Sequence, residues 1–139
     1  MGARYAAVAT TTSTASTTVP MCGLTGGTTK RVRLYHIIIG SVAAPANQAN
    51  QFAIRRSTAR GTSSTAFVAT TPDPADPAAA AVFDLTWAVN PTITALSDLL
   101  NFSMNQQATV QWMVDPTYGL VIPATAGAGL QLMAVATTA

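Results

Sequence analysis

An all-β fold is predicted for this chain of 139 residues by three observations. Apolar residues recur with a period of two along much of its length, as half-buried strands require. Clusters of Gly, Pro, Asn and Asp interrupt that alternation at short intervals. No segment carries the 3.6-residue apolar stripe of an amphipathic helix. The length suits one domain with one core, and the small number of aromatic residues (6%) suits thin, packed sheets.

The first element is a low-complexity run, ATTTSTASTT, over residues 9–18. Thr favours extended backbone, but the run holds nothing large to bury. Residues 1–20 are therefore read as an extended Thr/Ser-rich N-terminal arm, and residues 21–139 as the folded domain. The arm either stays loose or orders against a neighbouring subunit, as such segments do on contact. Pro20 and the glycines of CGLTGGTTK (22–30) read as a turn-rich connection.

A strand follows over RVRLYHIIIG (31–40), with Val32, Leu34, His36 and Ile38 on one face and Arg33, Tyr35, Ile37 and Ile39 on the other. Both faces become apolar toward its end, which predicts a central strand covered on both sides there. NQFAIRRST (50–58) reads as the next strand, ARGTSS as a turn and TAFVATT (65–71) as a short strand. The three prolines of PDPADP (72–77) stop it. The alanines of AAAAVFDLTW (78–87) favour helix, whereas Val82, Phe83, Leu85, Thr86 and Trp87 favour strand; at most a helical turn leading into a strand is expected.

NPTITALSDLLNFSMN (90–105) reads as a connector with a strand around Leu99 to Met104. QATVQWMV (107–114) alternates cleanly, with Ala108, Val110, Trp112 and Val114 on one side. DPTYGL is a turn, GLVIP a short strand, and TAGAG another turn. LQLMAVATT (130–138) closes the chain with Leu130, Leu132, Ala134 and Ala136 inward. About eight strands result, and an eight-stranded jelly-roll β-sandwich is the expected architecture.

Composition narrows the function. The chain has no Glu, one Lys and only 9% charged residues, against about 25% in a typical soluble domain. So little charge cannot cover a free surface well, and this points to surface covered by neighbouring subunits. The basic residues form no broad patch, so nucleic acid is not an expected partner. Cys22 stands alone, which rules out an intrachain disulfide and fits a reducing compartment. There is no apolar h-region behind a basic start, and no apolar run is long enough to span a bilayer; neither export by a signal peptide nor membrane insertion is expected.

The sequence offers little that points to chemistry. His36, the one histidine, sits mid-strand among apolar residues and reads as structural, and nothing resembles a nucleophile elbow. Asp73 and Asp76 lie in a stiff, proline-spaced loop with too few oxygens for calcium. Gly26, Gly27 and Lys30 lack the spacing of a phosphate loop. One Cys and one His are too few for zinc, and Cys22 reads as a small buried hydrophobe. No catalytic, metal or cofactor site is expected, and no small-molecule substrate. Trp87, Trp112 and Tyr118 could stack on a sugar ring, though both tryptophans are more simply core or interface residues.

The order of blocks carries a resemblance: the IIIG strand end, PANQAN, QFAIRRSTARGT, PDPADPAA, NQQATVQWMV and GLVIPATAGAGLQL. Over roughly residues 30–136 the chain resembles small jelly-roll decoration (cement) proteins of tailed bacteriophage capsids. The resemblance implies a homotrimer on the outer surface of the head, assembled in the host cytoplasm and located in the virion. There it would bridge major capsid protein subunits against internal DNA pressure, without a cofactor.

Arg forks pair well with carboxylates of a partner. The capsid-facing contact is accordingly expected at Arg4 and Tyr5 of the arm with Arg31 and Arg33, and the group Arg55, Arg56 and Arg60 is the alternative interface. Two other classes remain open: a receptor- or glycan-binding module on a virion or cell surface, and a self-assembling shell or tail subunit.

Overall fold

The computed structural model describes residues 3–137, with side chains as far as Val135; the inward placement expected of Ala136, and Thr138, fall outside the described side chains and residues. Ten strands lie within it. The first five are β1 (Cys22–Thr25), β2 (Val32–Leu34), β3 (His36–Ile39), β4 (Ala49–Ala59) and β5 (Thr62–Val68). The rest are β6 (Val82–Val89), β7 (Thr92–Asn105), β8 (Val110–Met113), β9 (Leu120–Ile122) and β10 (Gly129–Thr137).

Six strands form one sheet in the order β5-β6-β1-β10-β4-β7, and every neighbouring pair is antiparallel. β4 passes into β5 through Arg60 and Gly61, and β6 into β7 through Asn90 and Pro91. The two outer pairs are thus one long antiparallel ribbon, bent at those residues, with β1 and β10 between its halves. The bend requires glycine: Gly61 has φ +76°, and a Cβ there would lie 2.2 Å from the Val89 carbonyl oxygen.

The second layer is a narrower ribbon in which β2 pairs with β9 and β3 with β8. The Val114 N–H donates to the Tyr35 carbonyl at 2.9 Å and links the two halves. Between them a single 3-10 turn, Pro116–Tyr118, is looped out, with the Asp115 side chain accepting from the Thr117 N–H. That ribbon covers one face of the large sheet. Ile54, Ile122 and Leu130 form one core cluster with Val32, Leu34, Ile37 and Leu120 against it. Phe52, Met104 and Ala134 form another, with Ile39 and Val110. Two antiparallel layers with a shared core are consistent with a β-sandwich. On the large sheet's opposite face Ala53, Ser57, Asp84, Gln131 and Met133 are buried too.

The structure departs from the sequence reading at four places. The expected single strand over 31–40 changes phase at Tyr35: Val32 and Leu34 point to the core, then Ile37 and Ile39 do. His36 and Ile38 therefore face outward, Ile38 with 61% exposure, because among the described residues the ribbon is the outermost layer. The Gly-rich connection contains β1, since Leu24 and Thr25 are held between β6 and β10. The connector over 90–98 is mostly strand, and β7 accommodates its mixed sequence with register shifts against β4 and a positive φ at Leu96. The turn expected over ARGTSS is already strand from Thr62, where β5 begins.

Candidate interaction surface

The residues expected to meet a capsid lie mostly at one end of the large sheet. Thr25 pairs with both Val82 and Gly129, so the loops leading from or into those residues share that end. One carries Lys30 and Arg31, and another carries PDPADP and the alanines after it. They touch where Gly27 packs against Ala80. The arm joins the same end. The Tyr5 hydroxyl donates to the Pro77 carbonyl at 3.1 Å, and Ala6 and Thr70 form a β-bridge. Arg4 and Tyr5 thereby lie beside the loop that holds Asp73 and Asp76, and Arg31 follows in the neighbouring loop at the same end. The loop carboxylate of Asp73 accepts from the Ala75 N–H and shapes the turn.

Arg33 projects from the outer face of β2 and reaches across to the carbonyls of Pro116 and Thr117. It pins the 3-10 turn, whose Tyr118 is 80% exposed. Next to it the Asp115 carboxyl is held below its ordinary value of 3.8, chiefly by the hydrogen bond from the Thr117 N–H.

The alternative group is separated and engaged within the chain. Arg55 and Arg56 are strand neighbours and so point to opposite faces. Arg55 pairs with Asp98. Arg56 donates to the Val121 carbonyl at 2.9 Å and so ties β4 to β9. Arg60 forks onto Asp84 with bonds of 2.8 and 2.7 Å. Asp84 is fully buried, and its hydrogen bond raises the Arg60 pKa above the ordinary arginine value. The Trp87 indole N–H donates to the Arg60 carbonyl and holds the bend. These three arginines bind layers, strands and a bend together.

The remaining candidates lie apart. His36 faces Gln111 at 2.9 Å on the outer face of the ribbon. Burial pushes the Cys22 thiol up to about 12, so it is held as the unreactive thiol at neutral pH. Trp87 belongs to the large sheet and Trp112 to the ribbon, both half-buried; only Tyr118 of the three aromatics is openly exposed. Two open clefts, of about 270 and 500 Å³, are lined mainly by Thr, Ala and Pro with Arg56 in one and Arg55 in the other.

Two features escaped the sequence reading. One is a set of amide bonds at the far end of the sheet, Asn47 with Asn105, Gln48 with Gln106, and Gln51 with Asn101. The sequence shows only that Asn and Gln are frequent there. The other is an exposed apolar set: Ile38 and Met113 on the outer ribbon face, Val42 beyond it, Val68 on an edge strand, and Val89 and Leu96 along the bent ribbon.

These features define an antiparallel all-β protein whose most conspicuous surface is apolar and poor in charge. Comparison with protein-family models, curated proteins and solved structures returns no match.

Proposed function

We propose that this chain is a structural virion protein, a decoration or cement subunit on the outer surface of a tailed-phage head. In this reading three copies associate and bridge major capsid protein subunits beneath them. The fold is read as a jelly roll, because a long ribbon bent upon itself around β1 and β10 is how that architecture arises.

One observation carries the reading, the amount and quality of free surface. The chain exposes 7960 Å², whereas a compact monomer of 14.3 kDa would expose about 6,800 Å². The excess is of the order a stable interface covers on one partner. Ile38, Val42, Val68, Leu96 and Met113 are more than half exposed on a chain only 9% charged. Apolar, charge-poor surface in that quantity suits permanent neighbours. The end that gathers Arg4, Tyr5 and Arg31 supplies a polar anchor toward a shell, repeated three times in a trimer.

Electron microscopy of purified particles tests this directly. Density for three copies outside the shell at three-fold positions is expected, along with a trimer by native mass spectrometry. Localisation to a tail or fibre, spontaneous polymerisation into tubes or shells, or a stable monomer at micromolar concentration would each overturn it.

A further inference from the structure

Among the described residues, one β-bridge joins the arm to the chain just beyond β5, and it sets a register. Ala6 and Thr70 exchange both backbone hydrogen bonds, each 2.8 Å, as an antiparallel bridge. Two residues further along, the same register would place Val8 opposite Val68 and then Thr10 opposite Ala66. Neither pair forms among the described residues: Val8 is 90% exposed and Val68 51%, and β6 is the one strand neighbour that β5 has there.

The free groups point the right way. The Gly26 N–H donates to the Ala128 carbonyl, in register with Leu24 and Leu130 and with Cys22 and Leu132. Alternation then turns Gly23 and Thr25 toward β6, and Phe83 of β6 toward β5. Ala66 and Val68 consequently direct their N–H and C=O groups away from β6. That is the side on which Thr70 holds Ala6.

Within one chain the arm cannot follow this edge. The Thr11 hydroxyl donates to the Met21 carbonyl at the head of β1, and the Ser16 N–H to Ala134 of β10. The lane of β1 lies three strand spacings, about 14 Å, from the lane an added strand would take beyond β5. Residues 7–10 are used up in crossing that distance. An arm from another molecule has no such tether. Its Thr-rich residues favour extended pairing, and Thr62–Val68 carries neither charge nor proline to oppose an added strand.

We infer that the arm, from Ala6 through its Thr/Ser run, adds as an antiparallel strand to the β5 edge of a second copy, with the Ala6–Thr70 bridge made between chains. This deepens the proposed assembly by naming the element exchanged, and it rests on that reading. Exchange gives up the Thr11 bond and gains ladder pairs. In a cyclic trimer every arm finds an edge.

The test mixes two chains in a Cys22→Ala background, one carrying Val8→Cys and the other Val68→Cys. Directly opposed, hydrogen-bonded residues lie about 5.5 Å apart at Cα, within disulfide range. A mixed interchain disulfide is expected under mild oxidation. Ala66→Pro provides a second readout: it removes an N–H that faces away from β6, so the chain's own sheet persists by circular dichroism. Its trimer should dissociate at a protein concentration at least about tenfold higher than wild type. A trimer that forms no mixed disulfide and ignores Ala66→Pro would overturn the arm exchange and leave the assembly standing. A wild-type monomer would remove both.

Discussion

At the scale of single residues, the fold leans on the pairing of Asp84 with Arg60. Asp84 is fully buried, and both its oxygens depend on the Arg60 fork. Removing the arginine leaves a charge with no compensating partner, which costs far more than the pair contributes. Arg60→Ala should therefore destabilise the subunit by about 3 kcal/mol, the lower end for a buried pair, because Arg60 is itself partly solvated and its share is screened. Arg60→Met combined with Asp84→Leu should recover most of that loss. Urea denaturation of the three chains measures it, and an Arg60→Ala chain as stable as wild type would refute the argument. None of this pairing was legible in the sequence. Arg55, Arg56 and Arg60 read as a loose basic cluster, and their acidic partners lie 43 and 24 residues away. Local alternation could assign Arg55 and Arg56 to opposite faces, but only the sheet order brings β6 and β7 to them.

At the scale of elements, period-two alternation located strands well and failed where a strand changes phase. The clean pattern over 107–114 predicted the side that Val110 and Trp112 occupy, and both are half-buried while Gln111 and Met113 are exposed. The run of three isoleucines at 37–39 carries no alternation to read, so the slip at Tyr35 was invisible. The difference has a measurable consequence. Ile37 packs into the cluster around Ile54, Ile122 and Leu130, whereas Ile38 looks outward. Ile37→Ala should lower the stability of the isolated subunit by about 2–3 kcal/mol, and Ile38→Ala by less than about 0.5 kcal/mol. Chemical denaturation distinguishes them. The reverse ranking would restore the unbroken strand. β7 taught the same lesson from the other side: its bulged stretch around Leu96 obscures the period while the Ser97 hydroxyl, accepting from the Arg56 N–H, keeps it on the sheet.

At the scale of the whole molecule, the all-β class was legible because turn residues and β-branched runs report it locally. The layer order was not, because it depends on a ribbon that bends at Gly61 and re-pairs at the far side of β1 and β10. The charge deficit was legible too, and the structure divides the few charges it has. Arg55, Arg56 and Arg60 are spent within the subunit, while Arg31 and Lys30 stand exposed at the arm's end of the sheet. Contacts between copies would then be apolar and backbone in character, and contacts to a shell electrostatic. Salt separates the two kinds. Raising ionic strength from about 0.1 M to about 1 M shortens the Debye length from about 10 Å to about 3 Å, which weakens exposed ion pairs and spares apolar burial. If the protein is the decoration subunit proposed above, particles washed at the higher salt should release it as an intact trimer, measured by light scattering on the released fraction. Substituting Lys30→Ala with Arg31→Ala should lower the salt needed for release. Release as monomers would place the electrostatic contacts between copies instead, and retention at high salt would mean that the shell contact is apolar.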